Sequence, residues 1–198
     1  LAGAQYLLPF YLQLIQSLST FESGLVLTVM SLGIMTAGVL SGQIYAKMVG
    51  RIRVLILSGV AILALGYFFL SKISPVSGLG IIVLGLALIG FGVGLTTTTA
   101  TTLLMGSVKP EKNGMVSSIT GLERFAPMTI GIAFFNLLLI AGVKAIAKHT
   151  DITTRPLQDV AAGILTSGFD LCFFVSMSLA VVAFVICLFV KESRLKQA

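Results

Sequence analysis

The chain has 198 residues, of which 57% are hydrophobic and 10% charged, with a net charge of +6 and a mean hydropathy of +1.07. Soluble domains are about 45–50% apolar and about 25% charged, and a soluble fold of this size leaves roughly 30% of its unfolded surface in water. The composition excludes an ordinary soluble enzyme, a disulfide-stapled secreted domain and a disordered regulator, and makes lipid the solvent for most of the chain.

Charge-free stretches cover 23–46, 54–71, 73–108, 125–143 and 171–190, and about 20 apolar residues cross a bilayer as a helix. With the apolar opening stretch, they predict an all-α membrane protein of six helices: 1–18, 23–46, 53–71, 78–106, 113–143 and 168–190. The first four fall within 1–106 and the last two within 113–190. A repeat boundary is expected near 72–78, where Ser74-Pro75-Val76-Ser77-Gly78 signals a turn.

Taken in order, the helices differ in polarity. The first carries Gln5, Gln13 and Gln16, and the second Thr28, Ser31, Thr36, Ser41 and Gln43. The third, Val54–Leu70, is almost wholly aliphatic. The fourth has Thr96 to Thr99, Thr101 and Thr102. The fifth has Ser117, Ser118, Thr120, Glu123, Arg124, Thr129 and Asn136. The sixth is rich in Phe, Val and Leu. Polar groups inside a bilayer face a bundle interior or a cavity. The order polar, polar, apolar therefore occurs twice, and helices three and six are expected to face lipid. Small-residue pairs Gly38/Gly42 and Gly90/Gly94 have helix-packing spacing, and Gly131 is a further packing candidate. The stretch 144–166, with His149, reads as a short amphipathic segment plus loop.

The basic residues are asymmetric. Lys47, Arg51, Arg53, Lys109, Lys112, Lys191, Arg194 and Lys196 fall on one side, against Lys72, Lys144, Lys148 and Arg155 on the other. The positive-inside rule puts both ends of the chain in the cytoplasm and accounts for the basic balance without nucleic acid. Cys172 and Cys187 are about 22 Å apart along one helix, too far for a disulfide. No zinc motif, phosphate-binding loop or catalytic constellation is present, so neither a metal, a cofactor nor enzymatic chemistry is expected.

Four stretches carry a family resemblance. Gly42-Gln43-Ile44, Lys47, Gly50-Arg51 and Arg53 form a basic loop between helices two and three. Leu8-Pro9-Phe10-Tyr11-Leu12-Gln13 is followed by Glu22-Ser23-Gly24-Leu25, and Gly90-Phe91-Gly92-Val93-Gly94-Leu95 by Val108-Lys109-Pro110-Glu111-Lys112-Asn113-Gly114. Arg124 leads to Gly131-Ile132-Ala133, with Pro127-Met128 where a glycine pair is usual. In this order they resemble the second half of fourteen-helix drug:proton antiporters of the EmrB/QacA type, in the major facilitator superfamily.

The resemblance implies the C-terminal half of a major facilitator fold, built of two inverted three-helix repeats. Because Leu1 already lies in apolar sequence, the N-terminal half is expected to be missing. The implied activity is proton-coupled efflux of small amphipathic molecules by alternating access, in the cell (inner) membrane. The implied partners are the lipid bilayer, the N-terminal half, the substrate and protons. A sugar or metabolite carrier of another branch and a non-transporting six-helix scaffold are the alternatives.

The candidate residues each carry two readings. Gln13, Gln16, Thr97, Thr98, Thr101 and Asn136 are candidates for the substrate cavity. The rival use is packing hydrogen bonds, or for threonine a bond back to its own helix. Glu123 and Arg124 are the charges deepest in a predicted span, so they either couple to protons and structure or snorkel to the interface. Lys47, Arg51 and Arg53 either latch a cytoplasmic gate or anchor topology.

Overall fold

The computed structural model describes residues 2–47, 52–72, 78–106, 108–147 and 157–189. These form α1 (Ala2–Leu14), α2 (Thr20–Lys47), α3 (Ile52–Leu70), α4 (Leu79–Gly106), α5 (Asn113–Ala147) and α6 (Leu157–Phe189), with a 3-10 turn at Pro110–Lys112. No strand occurs among the described residues.

Five helices, α2 to α6, contain stretches long and apolar enough to cross a bilayer. The 13 residues of α1 rise about 20 Å, short of the ~30 Å hydrocarbon core. The first expected span, 1–18, is thus helical over Ala2–Leu14, and the other five are long enough to cross. Two boundaries also differ from expectation. Helix α6 begins at Leu157 rather than 168, and α5 runs on to Ala147, so much of 144–166 is helical rather than loop. His149 lies outside the described residues.

The start of α2 moves from 23 to Thr20 for a local reason. Ser19 and Glu22 cap it reciprocally: the Glu22 carboxylate accepts from the Ser19 backbone N–H at 2.9 Å, and the Ser19 hydroxyl oxygen accepts from the Glu22 N–H at 3.2 Å. Just before it, the chain leaves α1 through Ser17, whose φ of 52° is in the left-handed region, while the Leu18 N–H donates to the Leu12 carbonyl at 3.1 Å.

Helix α4 sits between α2 and α3, held by glycines on two faces. A Cβ on Gly90 would lie 2.2 Å from the Met30 carbonyl oxygen, and one on Gly94 2.5 Å from that of Ile34. On the other face a Cβ on Gly92 would lie 2.6 Å from the Gly59 carbonyl oxygen, and Gly66 backs onto Ile89 and Gly85. Lipid tails are as apolar as leucine, so helices associate in a bilayer through close backbone approach and interhelical hydrogen bonds. Ser41 and Thr99 supply such a bond at 2.8 Å, buried between α2 and α4. Thr99 gives its proton to the Leu95 carbonyl at 2.7 Å, so Ser41 is the donor. A Cβ on Gly38 would meet only the Thr98 hydroxyl, at an ordinary 3.4 Å, and one on Gly42 would face open space. On α2 the seam runs instead through Met30, Gly33, Ala37 and Ser41.

Helix α1 closes the far side of the bundle. Its Leu7, Leu8, Tyr11 and Leu12 are fully buried in a cluster with Phe169, Cys172 and Phe173 of α6 and Phe135 of α5. Tyr11 and Phe169 meet edge to face at 5.5 Å. The apolar helices α3 and α6 face lipid on one side only. They pack on each other and expose Leu65 and Phe68 of α3, with Phe174, Val182 and Ile186 of α6.

The contacts have a pattern. Helix α4 packs on α2 and α3, α1 packs on α5 and α6, and α3 packs on α6. Exchanging helices one to three with four to six leaves those pairings unchanged. The contact of α5 on α6 has no counterpart of that extent between α2 and α3.

Candidate functional site

Helix α5 carries Ser117, Thr120, Arg124, Met128, Gly131 and Phe135 at steps of three and four residues, which place them on one face. That face opens onto two clefts joined at Arg124 and Phe125. The first, about 530 Å³, lies between α4 and α5 and is lined by Thr96, Thr97, Thr101, Ser117, Thr120, Glu123 and Arg124, among others. The second, about 550 Å³, is more apolar. Gln5 of α1, Ile34 of α2, Val93 of α4, and Pro127, Met128, Gly131 and Phe135 of α5 line it with Arg124. Helices α3 and α6 contribute to neither cleft. The four helices that carry most of the polar residues thus meet at the clefts.

The hydroxyls of the first cleft are polarised by their own helices. Thr96 donates to the Gly92 carbonyl at 2.8 Å, Thr97 to that of Val93 at 2.7 Å, and Thr120 to that of Val116 at 2.6 Å. A hydroxyl that spends its proton this way still offers oxygen lone pairs. Back-bonding and cavity lining are therefore both true of Thr97. With the Glu123 carboxylate, the wall of the first cleft is rich in acceptors. Arg124 supplies the fixed donors. Pro127 lies within α5 and has no N–H, so the Glu123 carbonyl receives no bond from residue 127, although the helix continues through it.

Of the sequence candidates, Thr97, Thr101, Glu123 and Arg124 come together in the first cleft, and Gly131 borders the second. Thr98 turns instead toward Gly38 of α2. Gln13 is exposed near the end of α1, and Gln16 in the following turn bonds the Tyr11 hydroxyl. Asn136 is exposed on α5. None of these three lines either cleft. Gly90 and Gly94 seat α2. Lys47 is the last residue of α2, and Gly50 and Arg51 lie outside the described residues. Arg53 is the second residue of α3 and donates through Nη2 to the Leu188 carbonyl at the end of α6, which ties the two apolar helices together. Gln5, Ser117 and Thr120 line the clefts but were not singled out from sequence. The three-and-four spacing running through Arg124 is the signal that finds the latter two.

Residues 1–142 match the family model of the Major Facilitator Superfamily. The chain belongs to this superfamily. As a major facilitator chain it is a multi-pass membrane protein of a transporter family rather than an enzyme family. It is 33% identical over 145 residues to the multidrug resistance protein Stp of Mycobacterium tuberculosis, covering 72% of this chain and 26% of that protein. It is 28% identical over 139 residues to the multidrug transporter protein MdtP of Bacillus subtilis, covering 70% and 25%. It is 28% identical over 179 residues to the riboflavin transporter RibZ of Clostridioides difficile, covering 87% and 39%. The chain thus spans about a quarter of the length of the first two relatives.

Proposed function

We infer that this chain is the C-terminal six-helix half of a proton-coupled exporter of small amphipathic molecules, with both ends of the segment in the cytoplasm. The carrying observation is the pair of clefts joined at Arg124 and Phe125, one rich in acceptors and one apolar. An amphipathic molecule has the matching halves: its polar head takes the Thr97, Thr101 and Glu123 side, and its apolar body takes the Met128 and Phe135 side. Glu123 is the proton-exchanging group, and Arg124 orients the head at the junction.

Likeness to Stp and MdtP supports efflux. The exposed apolar residues on α2 (Leu32, Met35, Val39) and on α5 (Ile119, Leu122, Ile130) support an N-terminal half docked there. Rocking of the two halves about the clefts then gives alternating access.

The test uses the whole transporter containing this segment, in inverted vesicles with an imposed proton gradient. Glu123→Gln is expected to uncouple uptake of an amphipathic cationic dye from the gradient, and Arg124→Gln to raise the half-saturating dye concentration. Gradient-driven uptake unchanged by Glu123→Gln refutes the coupling role. Purified 1–198 in liposomes is expected to move nothing, and transport by it alone sinks the half-transporter reading. A metabolite carrier is the second reading, favoured by the likeness to RibZ. It predicts saturable transport of one flavin-like solute and no dye movement.

A further inference from the structure

Away from the clefts, α3 and α6 enclose an open groove of about 430 Å³, lined by Ala61, Ala64, Leu65 and Phe68 of α3 with Met177 and Phe184 of α6. Its wall is apolar, and two alanines keep the α3 side low. Such a surface accepts an extended hydrocarbon chain and offers a polar ligand no partner.

One charge stands at its end. The Lys72 ammonium lies 5.8 Å from the centroid of the Phe68 ring, and Lys72 is exposed. From Ala61 to Lys72 the chain rises about 16 Å at helical pitch, close to half of the ~30 Å hydrocarbon core. The groove's α3 lining, Ala61 to Phe68, takes up about 10 Å of that rise, so the groove covers about two-thirds of one leaflet, and Lys72 stands beyond its end toward that leaflet's phosphates.

We propose that the α3–α6 groove is a binding site for an anionic phospholipid, one acyl chain lying along Ala61, Ala64 and Phe68 and the headgroup phosphate on the Lys72 ammonium. Charge complementarity selects this occupant: the groove wall is apolar and the charge at its end is a cation. The site does not depend on which solute the clefts take.

The 198 residues contain no tryptophan, so in the whole transporter, with any tryptophan outside this segment replaced by phenylalanine, Leu65→Trp places a single fluorophore in the groove. The variant is reconstituted in phosphatidylcholine vesicles containing a minor fraction of dibrominated phosphatidylglycerol or dibrominated phosphatidylcholine, and quenching is compared. A surface lysine favours an anionic lipid by about fivefold, so the brominated phosphatidylglycerol is expected to occupy the groove about fivefold more than its zwitterionic counterpart. Adding Lys72→Gln should remove that preference, and Lys72→Arg should keep it. A control tryptophan at Phe174, on the lipid face of α6, should quench equally with both lipids. Equal quenching by both lipids at Leu65→Trp overturns the proposal, as does a preference that survives Lys72→Gln. Absence of quenching by either lipid also overturns it, because protein then covers the groove. Far-UV circular dichroism of each variant confirms that the helices are intact before quenching is read.

Discussion

The backbone contact at Gly90 makes a quantitative demand. An alanine there would place its Cβ 2.2 Å from the Met30 carbonyl oxygen, 3.0 Å from its carbonyl carbon and 3.1 Å from its Cα. All three atoms are main chain, so no rotamer change relieves the clash. Helices α2 and α4 must separate by about 1 Å, which thins contacts along the seam and forfeits a quarter to a half of each van der Waals well it touches. Overpacking costs about 1–3 kcal/mol, and a rigid obstacle puts Gly90→Ala toward the upper end, near 3 kcal/mol. Gly42→Ala is the matched control on α2. Nothing lies within 4 Å of its Cβ position, and a surface helix gains up to about 1 kcal/mol from the same exchange. The two variants change composition identically, so their difference reports packing alone. Reversible unfolding in mixed detergent micelles, followed by circular dichroism, is expected to separate them by about 3–4 kcal/mol. Equal unfolding midpoints would refute the glycine seam as the contact that holds α4.

Three further outcomes follow from hydrogen bonds. Ser41→Ala and Thr99→Val remove the two ends of the buried α2–α4 bond, and their double-mutant cycle should give a coupling of about 0.6 kcal/mol, as interhelical bonds in membranes do; a coupling of zero shows the bond is not formed. Ser19→Ala deletes one arm of the α2 cap and should cost about 1 kcal/mol, with faster hydrogen exchange at the Glu22 amide as the local readout. Arg53→Gln frees the Leu188 carbonyl from its α3 donor and should loosen the end of α6, read as increased mobility of a spin label at Leu188; an unchanged spectrum there would count against the tie.

The spans were legible because a bilayer punishes charge, and gaps between charges therefore measure its thickness. The same logic fails where a helix leaves the membrane. The segment from Leu157 includes Gln158 and Asp159 yet is helical, since a charge-free stretch marks a span and not the place where a helix begins. The α2 start is written not in apolarity but in Ser19 and Glu22, which stand at capping spacing. Glycine pairs four apart pointed correctly to Gly90 and Gly94 and misleadingly to Gly42. The α3–α4 seam does not follow the four-residue spacing: Gly59/Gly66 and Gly85/Gly92 are seven apart, two turns rather than one. In the clefts, residue type alone did not separate Thr97 from Thr98. Their directions differ by about 100° around the helix axis, and only the neighbours of α4 decide which one meets the cleft. The first glutamines illustrate the same point: Gln5 lines the second cleft, while Gln13 and Gln16 sit beyond it at and after the end of α1.

The glycine seams also set an order of assembly. Every residue that seats α4 on α2 and α3 lies between Thr20 and Gly106. At about 5–20 residues per second of synthesis, the 83 residues from 107 to Phe189 take roughly 4–17 s to follow. The three-helix unit is therefore complete in the bilayer while α5 and α6 are still being made. Helix α1 is made before all of it, yet its deepest residues wait for the last helix, because Tyr11 has its ring partner in Phe169. Within this segment the helix made first is the last one fixed, and a ribosome stalled before α6 would leave α1 the loosest of these helices.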